Sequence, residues 1–293
     1  MKTLIKRNIM LYYRDRTSVF FSLLSVVIVL TLYILFLAEL QISSVENSAQ
    51  QFASATEIKQ LVHSWILAGL LTIVPITSSL GALVNVVADR ERKIIKDFKS
   101  SPLSIGKYPI AAIISSCIIG IIMSIITVII YSTYIYISVD YTFTAYQYFM
   151  CFGLSILVTI MATSINALLV SFLSTISAFT SASIVIGTVV GFITGVYVPM
   201  GILPQGVQDF IKLLPFGHAA VLFRNILMKD TLNTVFGNLP VENLNDYKKM
   251  FGIDFSFKDK IITNNTSLFY IVVVSLVCLG LFILNYNRKR KEI

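Results

Sequence analysis

Residues 141–208 contain no acidic or basic side chain and read YTFTAYQYFMCFGLSILVTIMATSINALLVSFLSTISAFTSASIVIGTVVGFITGVYVPMGILPQGVQ. A helix needs roughly 20 apolar residues to cross a bilayer, because in lipid every backbone N–H and C=O must be paired within the segment. This stretch is long enough for two crossings, and its polar side chains near 171–177 predict the turn between them. It therefore indicates an all-α integral membrane protein.

Four other stretches also lack Asp, Glu, Lys and Arg, namely 17–38, 60–88, 108–139 and 261–287. Only 13% of the 293 residues are charged, whereas soluble domains usually contain about 25%. The sequence predicts six transmembrane helices, at about 18–38, 63–88, 108–137, 146–172, 179–200 and 267–286.

The net charge of +8 is unevenly distributed along the chain. Residues 1–16, 89–107 and 288–292 are net basic, whereas 39–62 and Asp140 are acidic. Because basic residues concentrate in cytoplasmic loops, we expect both termini in the cytoplasm and the nearly neutral segment 201–266 outside. The basic residues flank membrane spans, so we expect a lipid bilayer, and no nucleic acid, as their partner.

Before the first predicted span, apolar residues recur near helical spacing among lysines and arginines, at Leu4, Ile5, Ile9 and Tyr12. This pattern favours a basic amphipathic helix on the membrane surface. The alternative is a basic flank that serves only to orient insertion.

A second charged segment lies between the second and third predicted spans, at 89–104. Ile94, Ile95 and Phe98 lie among its charges, so it can form a short amphipathic helix, which Ser101-Pro102 would end. The pattern alone favours a simple solvated connector.

Residues 195–228 combine three prolines with short apolar runs at helical spacing. Interrupted helices at membrane depth are tolerated only where protein buries them or where they line a cavity. We therefore expect a re-entrant helical hairpin before the last span, followed by an exposed extracellular loop at 229–263.

Catalytic and metal-binding patterns are missing from the sequence. The predicted spans contain no carboxylate, and the chain has no phosphate-binding loop. We therefore expect a non-enzymatic protein that binds no metal and no cofactor. Asn85 and Asn166 are polar exceptions in the spans, and an interhelical hydrogen-bonding role is favoured over a cavity-lining one.

These landmarks together resemble the permease subunits of type-2 ABC exporters, which export drugs, peptides and polysaccharides. The most specific match is G-x3-P-x3-LP-x10-P-x8-R, formed by Gly195, Pro199, Leu203, Pro204, Pro215 and Arg224, with Phe216-Gly217-His218 as a polar-aromatic turn. The second is the charged run that ends in Ser-Pro. Many members have Gly-Thr after its first charges, where this chain has Lys93-Ile94.

The resemblance covers essentially the whole chain, 1–293, as one transmembrane domain. It implies that 1–17 is a connecting helix, that 89–104 contains a coupling helix, and that 195–228 is an extracellular gate. The residues it assigns to ATPase coupling are Asp89, Arg90, Glu91, Arg92, Lys96, Asp97, Phe98, Ser101 and Pro102. Those it assigns to the gate are Gly195, Pro199, Leu203, Pro204, Pro215, His218 and Arg224.

The implied function is ATP-driven export of an amphipathic compound, such as a drug, antimicrobial peptide, toxin or lipid, across a bacterial plasma membrane. ATP and Mg²⁺ would bind two copies of a separate ATP-binding subunit, and a second permease copy or a paralogue would complete the transporter. The alternatives are export of a lipid-linked polysaccharide or teichoic acid, and a non-transporting membrane scaffold or sensor.

Overall fold

The computed structural model describes residues 1–16, 53–94, 106–257 and 260–292, together with isolated positions between 19 and 31. The helices are α1 Lys2–Arg14, α2 Ala55–Ala82, α3 Val84–Glu91, α4 Lys107–Val139, α5 Ala145–Phe172, α6 Ile176–Ile193, α7 Gln205–Leu213, α8 Pro215–Leu227, α9 Lys229–Phe236, α10 Val241–Met250 and α11 Asn264–Glu292. A 3₁₀ turn covers Met200–Ile202, and β1 Ser256–Phe257 pairs antiparallel with β2 Lys260–Ile261.

Five of the described helical segments are long and apolar enough to cross a membrane, at 55–91, 107–139, 145–172, 176–193 and 264–286. They correspond to the last five predicted spans, whereas most of the first, 18–38, lies outside the described residues. α7 and α8 form a pair bent by 88° that passes the same test only jointly. The all-α membrane fold and the broken hairpin before the last span are thus confirmed.

Two of the predicted boundaries differ from the structure, and local capping explains both. α2 begins at 55 rather than 63, because Ser54 and Glu57 form a reciprocal capping box that includes charged residues in the first turn. α6 ends at 193 rather than 200, because Gly195 adopts a left-handed φ of +65° directly after it. The turn between α5 and α6 lies where the polar cluster predicted it.

α2 forms the centre of the bundle, since 89% of its apolar window is buried. It packs against α4, α5 and α8. Asn166 on α5 donates hydrogen bonds to the Ile76 carbonyl and to Ser79 Oγ on α2, both at 2.9 Å. Ser116 on α4 donates to the Ser79 carbonyl at 2.7 Å. These bonds join three spans without any charged group.

The bundle has two distinct ends. At one, here called the terminal end, α1 contacts the start of α4, and Asn285 of α11 donates to Ser171 Oγ of α5 at 2.6 Å. At the other, the hairpin end, α8 and α9 pack against α2, and Trp65 of α2 bonds the Phe251 carbonyl that follows α10. α1 buries Leu4, Asn8 and Tyr12 and exposes Lys2, Lys6 and Arg14, so it is amphipathic as predicted.

The segment 229–263 is not the exposed loop that its polar composition predicted. α9, α10 and the short β-ladder fold into a cap, here defined as residues 229–257 and 260–262. Phe236, Tyr247, Phe251, Ile253 and Phe255 of this cap are buried. The apolar residues are spaced among charged ones, so their burial depends on a fold that local composition does not reveal.

Candidate functional site

The hairpin bends between α7 and α8, where Pro215 occupies the first turn of α8. Proline is tolerated there because the first N–H groups of a helix have no partner within it. Gly217 fits the bend closely, since a Cβ at this position would lie 2.8 Å from the Ile211 carbonyl oxygen. Pro199 precedes the 3₁₀ turn and Pro204 precedes α7, so each proline of the motif begins a short helix.

His218 joins the hairpin to the last span. Its Nε2 lies 2.9 Å from the Lys212 carbonyl oxygen and its Nδ1 lies 3.0 Å from Ser267 Oγ on α11. Because only a protonated nitrogen can donate to a carbonyl, Nε2 carries the hydrogen. Tyr270 on α11 donates to the Leu213 carbonyl at 2.6 Å. The bend is therefore fixed against α11 at two points.

Arg224 on α8 is a buried cation, with only 1% of the residue exposed to solvent. Its Nη2 donates to the carbonyls of Thr194 at 2.9 Å and Gly195 at 3.1 Å, and its Nη1 donates to that of Gly252 at 2.9 Å. Thr194 and Gly195 follow the carboxyl end of α6, where unpaired carbonyls and the helix dipole favour a positive charge. One side chain therefore joins α6, the hairpin and the cap.

Trp65 on α2 covers the guanidinium from one side. The centre of its ring lies 4.9 Å from Arg224 Cζ, within the range of a cation–π interaction. Its indole Nε1 donates to the Phe251 carbonyl of the cap at 2.9 Å. The central span of the bundle thereby contacts the same cluster, which we name the carbonyl cage (Arg224, Trp65, Thr194, Gly195 and Gly252).

Two glycines give the guanidinium its space. Gly195 and Gly252 both have positive φ, at +65° and +62°, a region that L-residues enter only with strain. A Cβ on Gly252 would lie 3.0 Å from Arg224 Nη1. Of the predicted gate residues, Gly195 and Arg224 are in direct contact, through the Gly195 carbonyl. His218 contacts Ser267 of α11 instead. The remaining predicted residues shape the backbone of the hairpin, namely Pro199, Leu203, Pro204 and Pro215.

The sequence did not identify Trp65, Thr194 or Gly252 as part of this cluster. Trp65 is the single tryptophan of the chain, and this is the feature of the sequence that could have marked it as a candidate. Gly252 lies in a polar segment far from the motif, and no spacing connects it to Arg224.

The terminal end contains a second polar cluster. Asp89 at the end of α3 is 4% exposed, and it accepts two hydrogen bonds from Arg7 of α1, both at 2.8 Å, and one from the Tyr108 hydroxyl of α4 at 2.7 Å. This hydrogen-bonded carboxylate raises the pKa of Arg7 above its ordinary value. Asn8, the neighbour of Arg7, donates to Ser115 of α4 at 3.4 Å.

The next two residues, Arg90 and Glu91, also bind within the chain. Arg90 Nη1 donates to the carbonyls of Val170, at 3.1 Å, and Leu173. Glu91 Oε2 accepts a bond from the Ile176 amide, at 3.1 Å.

These contacts correct one expectation, because Asp89 is too buried to contact another subunit, and Arg90 is half-buried with its guanidinium on α5. Arg92 is exposed. The other predicted coupling residues, Lys96, Asp97, Phe98, Ser101 and Pro102, lie outside the described residues.

The two asparagines singled out in the sequence differ in environment. Asn166 is 2% exposed, and its amide joins α5 to α2 as described above. Asn85 on α3 is half-buried. Within the described ranges, no group of three His, Cys, Asp or Glu side chains is placed to hold a metal ion.

Comparison with known proteins identifies the family of the chain. A family model described as ABC-2 family transporter protein matches residues 37–284, which is most of the chain. The match includes the carbonyl cage and the polar cluster at the terminal end, apart from the residues that α1 contributes to that cluster. A search of curated proteins finds no match. Members of this family are membrane components that work with an ABC ATP-binding subunit. The chain belongs to the ABC-2 transporter family and is a multi-pass membrane permease of an ABC transporter.

Proposed function

We propose that this permease exports an amphipathic compound, such as a drug, antimicrobial peptide, toxin or lipid, out of a bacterial cell. Two permeases, either identical copies or paralogues, form the pathway in the plasma membrane. Two ATP-binding subunits, which carry ATP and Mg²⁺, dock at the terminal end. The termini lie in the cytoplasm and the hairpin end faces outward.

The observation that carries this proposal is the carbonyl cage. It joins α2, α6, the hairpin and the cap at one end of the bundle, whereas Asp89 and Tyr108, which flank the charged segment, meet at the opposite end. A compound that moves from the terminal end reaches the cage last. The hairpin and cap are therefore suited to act as an outward gate, and 195–228 is its moving part.

The spans support the proposed character of the cargo. The interhelical polar contacts of α2, α4 and α5 come from hydroxyls and amides rather than charges. A pathway lined by such helices favours a molecule with a large apolar portion. The spans predicted from the sequence contain no carboxylate, and ion-coupled pumps use buried acids as relays, which supports ATP as the energy source.

The docking surface at the terminal end is proposed to begin at Arg92 and to continue through 96–102. Charged groups of both signs steer the docking of a partner and apolar ones hold it. Arg90 and Glu91 contribute indirectly, because their side chains bind α5 and α6.

The test uses the tagged permease, purified in mild detergent with its partners and reconstituted into liposomes. We expect an ATP-binding subunit to copurify and to drive ATP-dependent movement of a fluorescent phospholipid or a labelled cationic antimicrobial peptide. Arg92→Glu should weaken copurification, while Lys229→Glu, which reverses an exposed cation at the hairpin end, should not.

Three results would contradict the proposal. A permease that purifies without an ATP-binding subunit supports a scaffold or sensor. ATP-dependent movement of a lipid-linked glycan, with no movement of either probe, supports polysaccharide or teichoic acid export. Equal copurification of the Arg92→Glu and Lys229→Glu variants removes Arg92 from the docking surface.

A further inference from the structure

A cleft between four helices lies at the terminal end of the bundle, and we name it the terminal cleft. Its walls come from α3, α4, α5 and α11 and are mainly apolar, with contributions from Val86, Ala112, Ile113, Val170 and Phe282. Among the residues that the structure describes, Arg90 is the one charged side chain that lines it. An apolar wall with a single cation suits an amphipathic anion.

Arg90 has no counter-ion in the described ranges of the chain, where no carboxylate forms an ion pair with it. The acidic residue before it, Asp89, pairs with Arg7. The one after it, Glu91, accepts a bond from the Ile176 amide of α6. Arg90 is nevertheless half-buried. Burial of a charge without a partner is unfavourable, so the site favours an anion from outside the chain.

The guanidinium of Arg90 has one nitrogen occupied and two available. Nη1 donates to the carbonyls of Val170, at 3.1 Å, and Leu173. Nε and Nη2 donate to no acceptor in the described part of the chain, and neither is fully buried. These two nitrogens form a fork that matches two oxygens of a phosphate. Because the carbonyls already fix the side chain, an anion would order it at little further entropic cost.

The size of the terminal cleft favours a lipid over a soluble small molecule. The cleft encloses about 20 Å³, whereas pockets for drug-sized ligands occupy roughly 300–1,000 Å³. A lipid needs no such enclosure, because the bilayer surrounds most of its acyl chains. On one side of the cleft lies α11, of which only 22% of the apolar window is buried. The cleft therefore adjoins a helix with a large apolar surface available to lipid.

The side chains around the cleft favour an anionic headgroup over a zwitterionic one. Tyr108 and Tyr286 line the cleft, and tyrosines are enriched at the membrane–water interface, which is the depth of the headgroups. Lys107 and Arg288 lie one and two positions from these tyrosines and are exposed. Their charges disfavour the ammonium group of a choline lipid and attract a headgroup with a net negative charge.

We propose that the terminal cleft binds an anionic phospholipid, with its phosphate on Nε and Nη2 of Arg90 and an acyl chain along Ile113 and Phe282. The bound lipid connects α3 to α4 and α11, so it stabilises the terminal end. In the proposed orientation this end faces the cytoplasmic leaflet, whose surface potential is negative because of its anionic lipids. The binding site itself does not depend on the proposed transport function.

The experiment titrates the purified full-length permease in detergent with dioleoylphosphatidylglycerol or dioleoylphosphatidylcholine and measures each Kd by native mass spectrometry. For the native chain we expect the Kd of the anionic lipid to be lower by about tenfold, the size of effect of a hydrogen-bonded charge. Arg90→Met should remove most of this preference. Arg90→Lys should keep part of it, because an ammonium retains the charge but not the fork.

Two further variants separate a specific site from general effects. Arg14→Met, which removes an exposed arginine of α1, is the matched control and should keep the full preference. Ile113→Trp narrows the cleft without changing any charge, and it should raise the Kd of both lipids. The ratio of the two Kd values is compared within each variant, so a loss of stability alone does not change it.

Three results would overturn the proposal. Equal Kd values for the two lipids on the native chain leave the cleft without headgroup selectivity, whatever the variants do. Equal loss of preference in Arg90→Met and Arg14→Met indicates diffuse attraction to the basic end of the protein. If glycerol phosphate without acyl chains raises the Tm of the native permease as much as phosphatidylglycerol does, the cleft binds a soluble phosphate instead. Should Arg90→Met fail to fold, Ile113→Trp and the native comparison decide.

Discussion

Replacement of Arg224 by methionine removes the donor that joins three carbonyls, while it keeps a long apolar side chain in the same space. An orphaned buried carbonyl costs roughly 1–3 kcal/mol, and three carbonyls accept bonds from this guanidinium. The burial of the cation itself costs several kcal/mol, and the substitution releases that cost. We therefore take the low end for each carbonyl and expect a loss of about 3 kcal/mol.

Arg224→Lys provides a graded comparison. Its charge is retained, but one ammonium nitrogen cannot reproduce the fork of Nη1 and Nη2, which bind carbonyls on different elements. We expect about 1–2 kcal/mol of destabilisation, the cost of one lost bond in a buried site. The order of stability should be native, lysine, methionine.

Thermal unfolding in detergent measures the size of these effects. A loss of about 3 kcal/mol corresponds to a decrease in Tm of roughly 6–12 °C for a domain of 150–250 residues. Hydrogen–deuterium exchange should increase in residues 247–256, which contain the Gly252 carbonyl. The matched control is Arg92→Met, which removes an exposed arginine at the other end of the bundle. The reasoning is refuted if Arg224→Met unfolds at the native temperature, or if residues 247–256 exchange no faster.

Three further substitutions test single features of the fold by thermal unfolding. Lys93→Gly should stabilise the chain by about 1 kcal/mol, because Lys93 has a φ of +59° that is strained for any residue with a Cβ; an unchanged or lower Tm would contradict this. Gly252→Ala should destabilise by about 1–2 kcal/mol, since its φ is also positive. Gly206→Ala should not destabilise, because this position is helical, a Cβ would meet nothing within 4 Å, and alanine is the better helix former. Asn166→Leu should cost about 0.6–2 kcal/mol through its interhelical bonds, while Thr188→Val, whose exposed hydroxyl bonds only its own helix, should be neutral; equal losses in both would refute the interhelical role.

In the hairpin, the sequence predicted the residues of the motif but not the partners of Arg224. Pro199, Pro204 and Pro215 begin short helices because proline fixes φ and lacks an N–H, and these are local properties that the sequence displays directly. Arg224 was identified by its place in the same motif. Its partners were not, because a carbonyl acceptor carries no sequence signature, and Gly252 lies 28 positions away along the chain.

At the end of α3, the sequence did not predict the contacts of the charged residues. Asp89, Arg90 and Glu91 have the composition of a solvated or docking surface, and a charge run does not reveal whether its side chains point into the bundle. Their partners on α1, α5 and α6 are 80 to 85 positions away. Lys93 is a local exception, because its left-handed φ of +59° is a conformation that glycine adopts without strain.

The sequence by itself determined that the chain spans a membrane, approximately where the five described spans lie, and that a broken helix precedes the last one. A span in lipid must be a long uncharged helix, and such a helix is recognisable as a continuous run of apolar residues in the sequence. Only the tertiary structure decided which groups meet: that Trp65 covers Arg224, that the cap buries five aromatic and aliphatic residues, and that Asp89, Arg90 and Glu91 bind α1, α4, α5 and α6. These contacts join residues distant in sequence, and their energies depend on burial, which no single segment specifies.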